Sequence, residues 1–419
     1  ISSSSTPTAT FKTTPNNAGV GIFDFKQVVE NYVGADNMAA TQSKYKTVVT
    51  SDDTPHPLHL IDKYSNNKKA ARWLTIQFKT QYTDANGDVQ IVEPTNSVDY
   101  QIFNGYLKYS DILTMGTGST ANNFGYDLSS FNLSAQTDSF LTNAPATQYA
   151  NLEDYGTIAF LAPNDNLDYI KLTYNDSSGS QIGTENINRT WTNGAFTTFT
   201  THIFYSLLYF GCFPANLQNW SSTFNALLTP VDQMSGGSIV VQACTNNASL
   251  PNFPRISKEY TININCPNLK GYESIRLCWL NQWGVWDYYT FTQKSVRSIS
   301  TKGSTYEQLA GTWNEAAYRV DSYKGGKKTF RVNATEKIKM NTDYISESEN
   351  VMFEELINSP EVYILKGYQT DGTDSALNQY VTPVRLTTSS FTKKTAANDK
   401  LIQYTFEVEK SKTLRTQSI

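Results

Sequence analysis

The sequence predicts a mainly β fold with two or more antiparallel β-sandwich-like domains and a few short helices. First, the 419-residue chain is rich in Thr, Tyr, Val and Phe, which favour strands. Second, apolar and polar residues alternate strictly in several short segments, as expected for strands with one face in water. Third, clusters of Asn, Asp, Gly and Ser separate these segments, and such short connections favour antiparallel pairing.

Five segments show the alternation most clearly. Each would place apolar side chains on a core and polar side chains in water. The apolar positions are Leu74, Ile76 and Phe78; Ile170, Leu172 and Tyr174; Tyr260, Ile262 and Ile264; Ile275, Leu277 and Trp279; and Ile402, Tyr404, Phe406 and Val408. The turn signals between such segments are Asp84–Asp88, Asn175–Gly179, Lys324–Lys327, Thr370–Thr373 and Asn398–Asp399.

Helices are predicted in three places. One extends from Asp24, as the N-cap, to Tyr32, and the clearest one covers residues 346–358, where Ser346 and Glu349 have capping-box spacing. A weaker candidate is Asn219–Leu228.

The domain organisation follows from an interruption of the strand pattern near residue 250, where the letters LPNFPR occur. We therefore predict an N-terminal β-rich region over 1–250, with room for two subdomains. Residues 251–419 are predicted to form a C-terminal β-sandwich-like domain that carries the helix near 346–358. The chain begins with Ile rather than Met, which predicts further residues upstream of Ile1.

Composition limits the partners of the chain. The 34 Lys and Arg against 38 Asp and Glu give a formal net charge of −4, so nothing attracts nucleic acid or anionic lipid in general. The longest apolar run, Ile203–Phe213, is shorter than the roughly 20 residues of a membrane span. We expect no nucleic-acid partner and no membrane span.

No catalytic motif is present, and the sequence contains no GxSxG, P-loop or HExxH pattern. His56 and His59 lie three residues apart, but a metal site needs further rigidly held ligands. Asp84, Asn86 and Asp88 resemble the start of a calcium loop whose twelfth position would be Thr95 instead of Glu, and a β-turn explains them better. The sequence predicts no catalytic residue, no metal and no cofactor, and hence a protein that is not an enzyme.

The four cysteines, Cys212, Cys244, Cys266 and Cys278, have no CxxC spacing. We expect buried free thiols. The alternative is a bridge between Cys266 and Cys278 across adjacent strands.

Two segments are candidates for contacts with other molecules. A basic segment surrounds a Gly-Gly pair and predicts a solvated hairpin or, alternatively, a surface for an acidic partner. Its cations are Lys324, Lys327, Lys328, Arg331, Lys337 and Lys339. An aromatic segment over Leu280–Phe291 predicts either core packing or a contact surface. Its candidate interface or scaffold residues are Trp283, Trp286, Tyr288 and Tyr289, with Trp286 and Tyr288 on one face.

The letters IRLCWLNQWGVWDYYTFTQKS of this aromatic segment resemble structural proteins in the virions of tailed bacteriophages, especially phages that infect Bacteroidota. The segments GVGIFDFKQVVENYV, FEELINSPEVYIL and PVRLTTSSFTKKTAANDKLIQYTFEVEKS fit the same resemblance, which covers mainly residues 260–410. It implies a tail, baseplate or neck component that assembles with copies of itself and with other virion proteins. It transfers no catalytic residue.

The resemblance places the protein in the virion, after assembly in the cytoplasm of the bacterial host. The alternative from a different class is a carbohydrate-binding or polysaccharide-degrading surface protein, in which exposed Trp and Tyr stack on sugars. A degrading enzyme would need a solvent-facing aromatic row beside a pair of carboxylates.

Overall fold

A computed structural model shows the fold of the chain. It describes residues 7–34, 63–66, 70–92, 97–108, 111, 128–161, 167–188, 207–229, 231–249, 253–265, 271–312, 315–366, 381–395, 401–412 and 414–418. Within these residues the chain is mainly β with a few short helices, so the predicted class is confirmed. The packing of the sheets as sandwiches stays a prediction.

The strands are short in the first two thirds of the chain. They are β1 (Tyr64–Asn66), β2 (Ala71–Gln77), β3 (Thr80–Thr83), β4 (Val89–Val92), β5 (Ser97–Phe103), β6 (Thr147–Ala150), β7 (Thr157–Leu161), β8 (Tyr169–Asn175), β9 (Gln181–Asn188), β10 (Leu207–Gly211), β11 (Ser238–Cys244) and β12 (Tyr260–Ile264). β2 pairs with β5, β3 pairs with β4, and β10 lies between β1 and β7.

The last third of the chain contains the two longest strands, β15 and β16. The strands there are β13 (Ile275–Leu280), β14 (Trp286–Phe291), β15 (Val296–Gln308), β16 (Gly326–Asn341), β17 (Val362–Leu365), β18 (Val381–Leu386), β19 (Thr405–Lys410) and β20 (Leu414–Ser418). The helices are α1 (Lys26–Glu30), α2 (Pro214–Trp220), α3 (Ser222–Leu228) and α4 (Asn350–Asn358), with 3-10 turns at Ser129–Phe131 and Glu347–Glu349.

A five-stranded sheet has the order β6, β12, β11, β8, β9, and only β6 and β12 run parallel. The predicted alternation is confirmed in β8 and β12, where every second residue is buried. The boundary predicted near residue 250 falls in the connection between β11 and β12. Because these strands pair directly, with Ile239 opposite Ile262, that boundary does not separate two sheets.

The C-terminal sheet has the order β14, β13, β17, β18, β19, β16, β15, and β20 pairs with part of β16. All six residues of β13 are buried. Cys278 and Leu280 belong to a first hydrophobic cluster, whereas Leu277 and Trp279 belong to a second one. The prediction that this strand turns one face to water is therefore wrong, because a separate core covers each face.

The two clusters draw on different parts of the chain. The first extends from Tyr64 to Leu365 and includes the inner faces of β7, β8, β10, β11 and β12. The second is built mainly from β13, α4, β16, β17, β19 and the residues just before β19. β13 and β14 therefore form a common wall between the N-terminal core and the C-terminal core.

The helix predictions are confirmed with changes at the ends. The first helix covers Lys26–Glu30 with Phe25 as its N-cap, so the prediction of Asp24 as the N-cap is wrong, although Asp24 Oδ1 accepts the Lys26 N–H at 2.9 Å. The capping box before α4 is present, with the Ser346 N–H donating to Glu349 Oε2 at 2.7 Å. The weaker candidate corresponds to two helices, α2 and α3, which are separated by Ser221.

The calcium-like letters form the turn between β3 and β4. Asp84 Oδ1 accepts the N–H groups of Asn86 and Asp88, both at 2.9 Å, and Gly87 has a φ of 92°. The β-turn prediction is confirmed.

Cys212, Cys244 and Cys278 are buried free thiols, so the free-thiol prediction is confirmed for them and Cys278 forms no bridge. Several predicted features lie outside the described residues: His56, His59, Thr95, Cys266, Thr370–Thr373 and Asn398–Asp399. In the part of the chain that the structure describes, no helix is long and apolar enough to cross a membrane.

Candidate interaction site: a projecting hairpin

β15 and β16 form a long arm at the edge of the C-terminal sheet. They contain 13 and 16 residues and pair from Val296 opposite Lys339 to Gln308 opposite Gly326. At about 3.3 Å per residue the arm is about 40 Å long. All residues of β15 are exposed except Tyr306 and Gln308, which are half-buried. β16 is more covered: it is half-buried or buried over most of its length from Arg331 on, where β20 and then β19 pair with it. The outer strand of the arm is therefore open to solvent along most of its length.

The base of the arm is fixed to the C-terminal core. Ile338 and Met340 of β16 are buried in the second cluster, and β19 pairs with β16 from Lys337 to Asn341. The Arg297 guanidinium bridges two carboxylates, those of Glu273 and Glu336, with an Nη1–Oε1 distance of 2.7 Å to Glu336. The arm is consequently a continuation of the sheet.

The loop from Leu309 to Gly325 forms the tip of the arm and is held by internal hydrogen bonds. Thr312 is buried, and its Oγ1 donates to the Ala317 carbonyl and accepts the Arg319 N–H, both at 2.9 Å. The Tyr318 hydroxyl donates to the Ala310 carbonyl at 2.9 Å. The described part of the tip is therefore held together by hydrogen bonds within the loop itself.

This tip presents apolar side chains to solvent. Leu309, Tyr318, Val320 and Tyr323 have 73%, 65%, 68% and 71% of their surface exposed. Burying such side chains against a partner removes apolar area from water, and preorganised Tyr residues are frequent anchors of protein interfaces. The tip has the chemistry of a contact surface.

The Gly-Gly pair within the Lys324–Lys327 signal was predicted to form the hairpin turn, and that placement is wrong. Gly326 already pairs with Gln308, so the pair marks the entry of β16 and not the turn. Gly325 and Gly326 have φ values of 86° and 73°. Glycine is favoured because this left-handed backbone is needed where the chain enters the strand.

Charge is distributed unevenly along one face of the arm. Near the base, Lys337 Nζ lies 3.3 Å from Glu407 Oε1. Farther out, Lys302 and Arg331 occupy diagonal positions on that face, and neither has an ion pair among the described residues. The Nε atom of Arg331 is buried without a hydrogen-bond partner in the described structure. Within the described part of the chain, the outer part of this face therefore carries two cations that have no ion-pair partner.

The predicted aromatic site lies in the interior. Trp283, Trp286 and Tyr288 are buried in the first cluster, and half-buried Tyr289 packs against Phe353 with 5.0 Å between ring centroids. The predicted division of Trp286 and Tyr289 between opposite faces is confirmed. Since three of the four side chains are enclosed by their own chain, they are scaffold residues, and burial contradicts the contact-surface interpretation.

The corner before β14 is shaped by Asn281 and Gly284. Asn281 Oδ1 accepts the N–H groups of Trp283 at 3.0 Å and Val285 at 3.3 Å. Gly284 has a φ of 72°, and a Cβ atom there would lie 1.8 Å from the Asn104 carbonyl oxygen. The chain therefore turns tightly here, and the corner also receives the backbone of a distant segment.

Asp287 is buried between the two cores within a hydrogen-bonded group. Its Oδ1 accepts the Thr142 hydroxyl at 2.6 Å, and its Oδ2 accepts the Asn281 amide at 3.0 Å. Burial raises the pKa of Asp287 to about 6, although both hydrogen bonds act in the opposite direction.

Glu355 of α4 is a second buried carboxylate nearby. Its Oε1 accepts the Asn143 amide at 2.5 Å and lies 3.7 Å from Lys108 Nζ. Burial, and then the charge of Asp287, raise the pKa of Glu355 to about 7. The two carboxylates have tuned pKa values but lie inside the protein, where a polymeric substrate has no access.

Arg276 of β13 is a buried cation next to the same wall. Its guanidinium carbon lies 4.5 Å from the Phe213 ring centroid and 5.1 Å from that of Tyr288. Its Nη1 donates to Thr290 Oγ1 at 2.8 Å and lies 3.6 Å from Asp154 Oδ2. The planar guanidinium thus packs against two aromatic rings and forms an ion pair at the same time.

Two open cavities lie among the described residues. One, of about 260 Å³, is lined by Lys171, Arg255 and neutral residues, and the other, of about 330 Å³, contains a single carboxylate, Glu361. Neither cavity has the carboxylate pair that glycoside hydrolysis uses. Among the described residues, no group of three or more His, Cys, Asp or Glu is placed to hold a metal ion.

Comparison with protein families, curated proteins and solved structures found no match to this chain.

Proposed function

We propose that the chain is a non-enzymatic structural component of a tailed-phage virion, in the tail, neck or baseplate. It acts by assembly with copies of itself and with other virion proteins after synthesis in the host cytoplasm. The resemblance of the segments around Leu280–Phe291 supports the virion class. The observation that carries the proposal is the exposed apolar tip of the β15–β16 arm.

The tip supports an assembly role because its hydrogen-bonded backbone keeps apolar side chains in contact with water when the chain is alone. Thr312 and Tyr318 fix the backbone, so Leu309, Val320 and Tyr323 cannot withdraw into a core of their own. Contact with a neighbouring subunit would bury them, at about 25 cal/mol for each Å² of apolar area removed from water.

The interior supports the same role by making the arm rigid at its base. β16 continues from the tip to Met340 in the second cluster, and the common wall of β13 and β14 joins that cluster to the first one. A subunit of this kind positions a contact surface at a fixed distance from its core.

The test replaces Leu309, Val320 and Tyr323 together by Ser in phage that carry the gene. The matched control replaces two equally exposed apolar residues away from the arm, Val231 and Leu401, by Ser. Particles purified on a density gradient are analysed by quantitative mass spectrometry. We expect the control protein at the wild-type level and the tip variant depleted at least 10-fold, while both purified chains keep the wild-type melting temperature.

Two results would overturn the proposal. If the wild-type chain is missing from purified particles, it is not a component of the virion. If the tip variant is found in particles at the wild-type level, the chain does not assemble through the tip of the arm.

A further inference from the structure

We infer that the free edge of β15 is a docking site for an extended strand of a partner protein whose acidic side chains alternate with neutral ones. This inference rests on the proposed function and specifies how one of the partners binds. The docked strand would continue the C-terminal sheet by one strand.

β15 is the terminal strand of that sheet and pairs only with β16 among the described strands. The backbone N–H and C=O groups on its outer side are therefore available over a strand of 13 residues. Long exposed edges are templates for pairing with another chain, and β-strand addition uses such edges for recognition.

The edge lacks two of the usual protections against pairing, Pro and a bulge, and its protection is the charge of Lys302. β15 contains no Pro, and the irregularity near Ser304 places the extra residue, Phe330, in β16 and leaves β15 regular. At the opposite end of the sheet, β14 is shielded because five of its six residues are buried. The edge of β15 is thus long, regular and open.

Charge selects the occupant. Lys302 lies in the middle of the edge strand, and Arg331, which has no ion pair among the described residues, is diagonal to it on β16. Acidic side chains at alternate positions of an added strand would all lie on this face, next to Lys302 of β15, with Arg331 one strand farther away on β16. Edge-to-edge pairing of two copies of β15 would bring two basic faces together, so a second copy of this strand is not the occupant.

The probe is a blocked synthetic peptide, long enough to span Val296–Gln308, in which Glu alternates with Thr and Val. Binding to the full chain is measured by fluorescence anisotropy, and backbone protection by hydrogen exchange with mass spectrometry. We expect the peptide to bind and to slow exchange in Val296–Gln308. A peptide with Lys in place of Glu should bind at least 10-fold more weakly.

The variant Lys302→Glu, on an exposed side chain, should weaken binding of the acidic peptide about 10-fold. The matched control Lys258→Glu makes the same charge change on another exposed lysine and should leave the affinity unchanged. Failure of the acidic peptide to bind, equal loss in both variants, or protection outside β15 would each overturn the inference. Tighter binding of a DNA duplex of equal charge would do so as well, because it would assign the basic face to phosphate.

These outcomes are separable from the test of the proposed function. A failed peptide experiment together with depletion of the tip variant from particles refutes only the docking edge. Loss of peptide binding in the triple Ser variant of the tip would contradict the separation of the two surfaces, and we expect that variant to bind the peptide normally.

Discussion

Asn143 and Glu355 form a hydrogen bond of 2.5 Å that connects the segment before β6 to helix α4. It therefore links the N-terminal sheet to the C-terminal core through a buried carboxylate. A charge in that position couples the packing of the two halves to pH.

Stability should fall as the pH rises from about 4.5 to about 7. The pKa of Glu355 is raised in the folded protein from 4.5 to about 7, so the folded state holds a proton that the unfolded state has already lost. Below this pH range Glu355 is protonated in the folded and the unfolded state, so it does not reduce stability. Above the range it is ionised in both states, and the reduction in stability stays constant. At about 1.4 kcal/mol per pKa unit, the loss is on the order of 3 kcal/mol. Melting temperatures at pH 4.5 and pH 7.5 measure it.

Glu355→Gln should remove the Glu355 part of this fall, above all between pH 6 and pH 7, because Gln keeps an acceptor for Asn143 but does not ionise. Asp287, whose pKa is raised to about 6, should still lower stability as the pH rises below that range. Glu307→Gln, on exposed β15, is the control and should leave the slope unchanged. The assignment to Glu355 fails if both variants retain the wild-type pH profile.

Trp286→Ala should destabilise the protein by about 3–5 kcal/mol, since Trp286 is only 2% exposed and packs edge-on against Tyr363 at 5.8 Å. The measurement is urea unfolding of the purified chain. Tyr344→Ala, at a position that is 62% exposed, should change stability by less than about 0.5 kcal/mol. Equal effects in the two variants would contradict a scaffold role of the aromatic segment.

Gly284→Ala should be far more costly than Gly87→Ala. Both positions have a left-handed backbone, with φ of 72° and 92°, so Ala is strained at each. Only at Gly284 would the new Cβ collide with another segment, at 1.8 Å from the Asn104 oxygen, while nothing lies within 4 Å at Gly87. We expect about 1 kcal/mol at Gly87, and at Gly284 at least about 3 kcal/mol more, or failure to fold. Comparable thermal shifts would show that the Asn104 segment moves aside.

Arg276→Lys should destabilise the chain by about 2–4 kcal/mol although it conserves charge. Lysine has no planar group to pack against Phe213 and Tyr288. It also cannot reproduce the two hydrogen bonds that Arg276 donates to Thr290 Oγ1 and to the Tyr155 carbonyl while it forms an ion pair with Asp154. Guanidinium unfolding measures the change. Arg319→Lys on the exposed tip is the control, and its stability should match the wild type.

The sequence was sufficient for features that depend on neighbours along the chain. The alternation of Tyr260, Ile262 and Ile264 identified a strand with one buried face, and Ser346 with Glu349 identified the start of a helix. In each case the periodicity or the cap is a local property, so no knowledge of the rest of the fold was needed.

Features that depend on what covers a surface were not predictable in this way. The alternation at Leu277 and Trp279 gives no sign of a second core over the other face of β13. The segment Val296–Gln308 has neither a turn signal nor an alternating apolar pattern. A strand without such a pattern has no face to bury in a core, and this was the sequence signal for an exposed strand. The basic segment was identified correctly as part of a hairpin, but the length of the arm was not.

The continuity of β16 has a mechanical consequence. A load applied at the tip travels along one uninterrupted backbone from Gly326 to Asn341. The hydrogen bonds between β16 and β19 lie perpendicular to that backbone, so a pull along the strand strains them all simultaneously. Ladders loaded in shear yield at higher force than ladders opened one rung after another. The arm is consequently attached in the orientation that best resists tension, and it would tear sideways, by peeling β15 from β16, before it could be drawn out of the sheet.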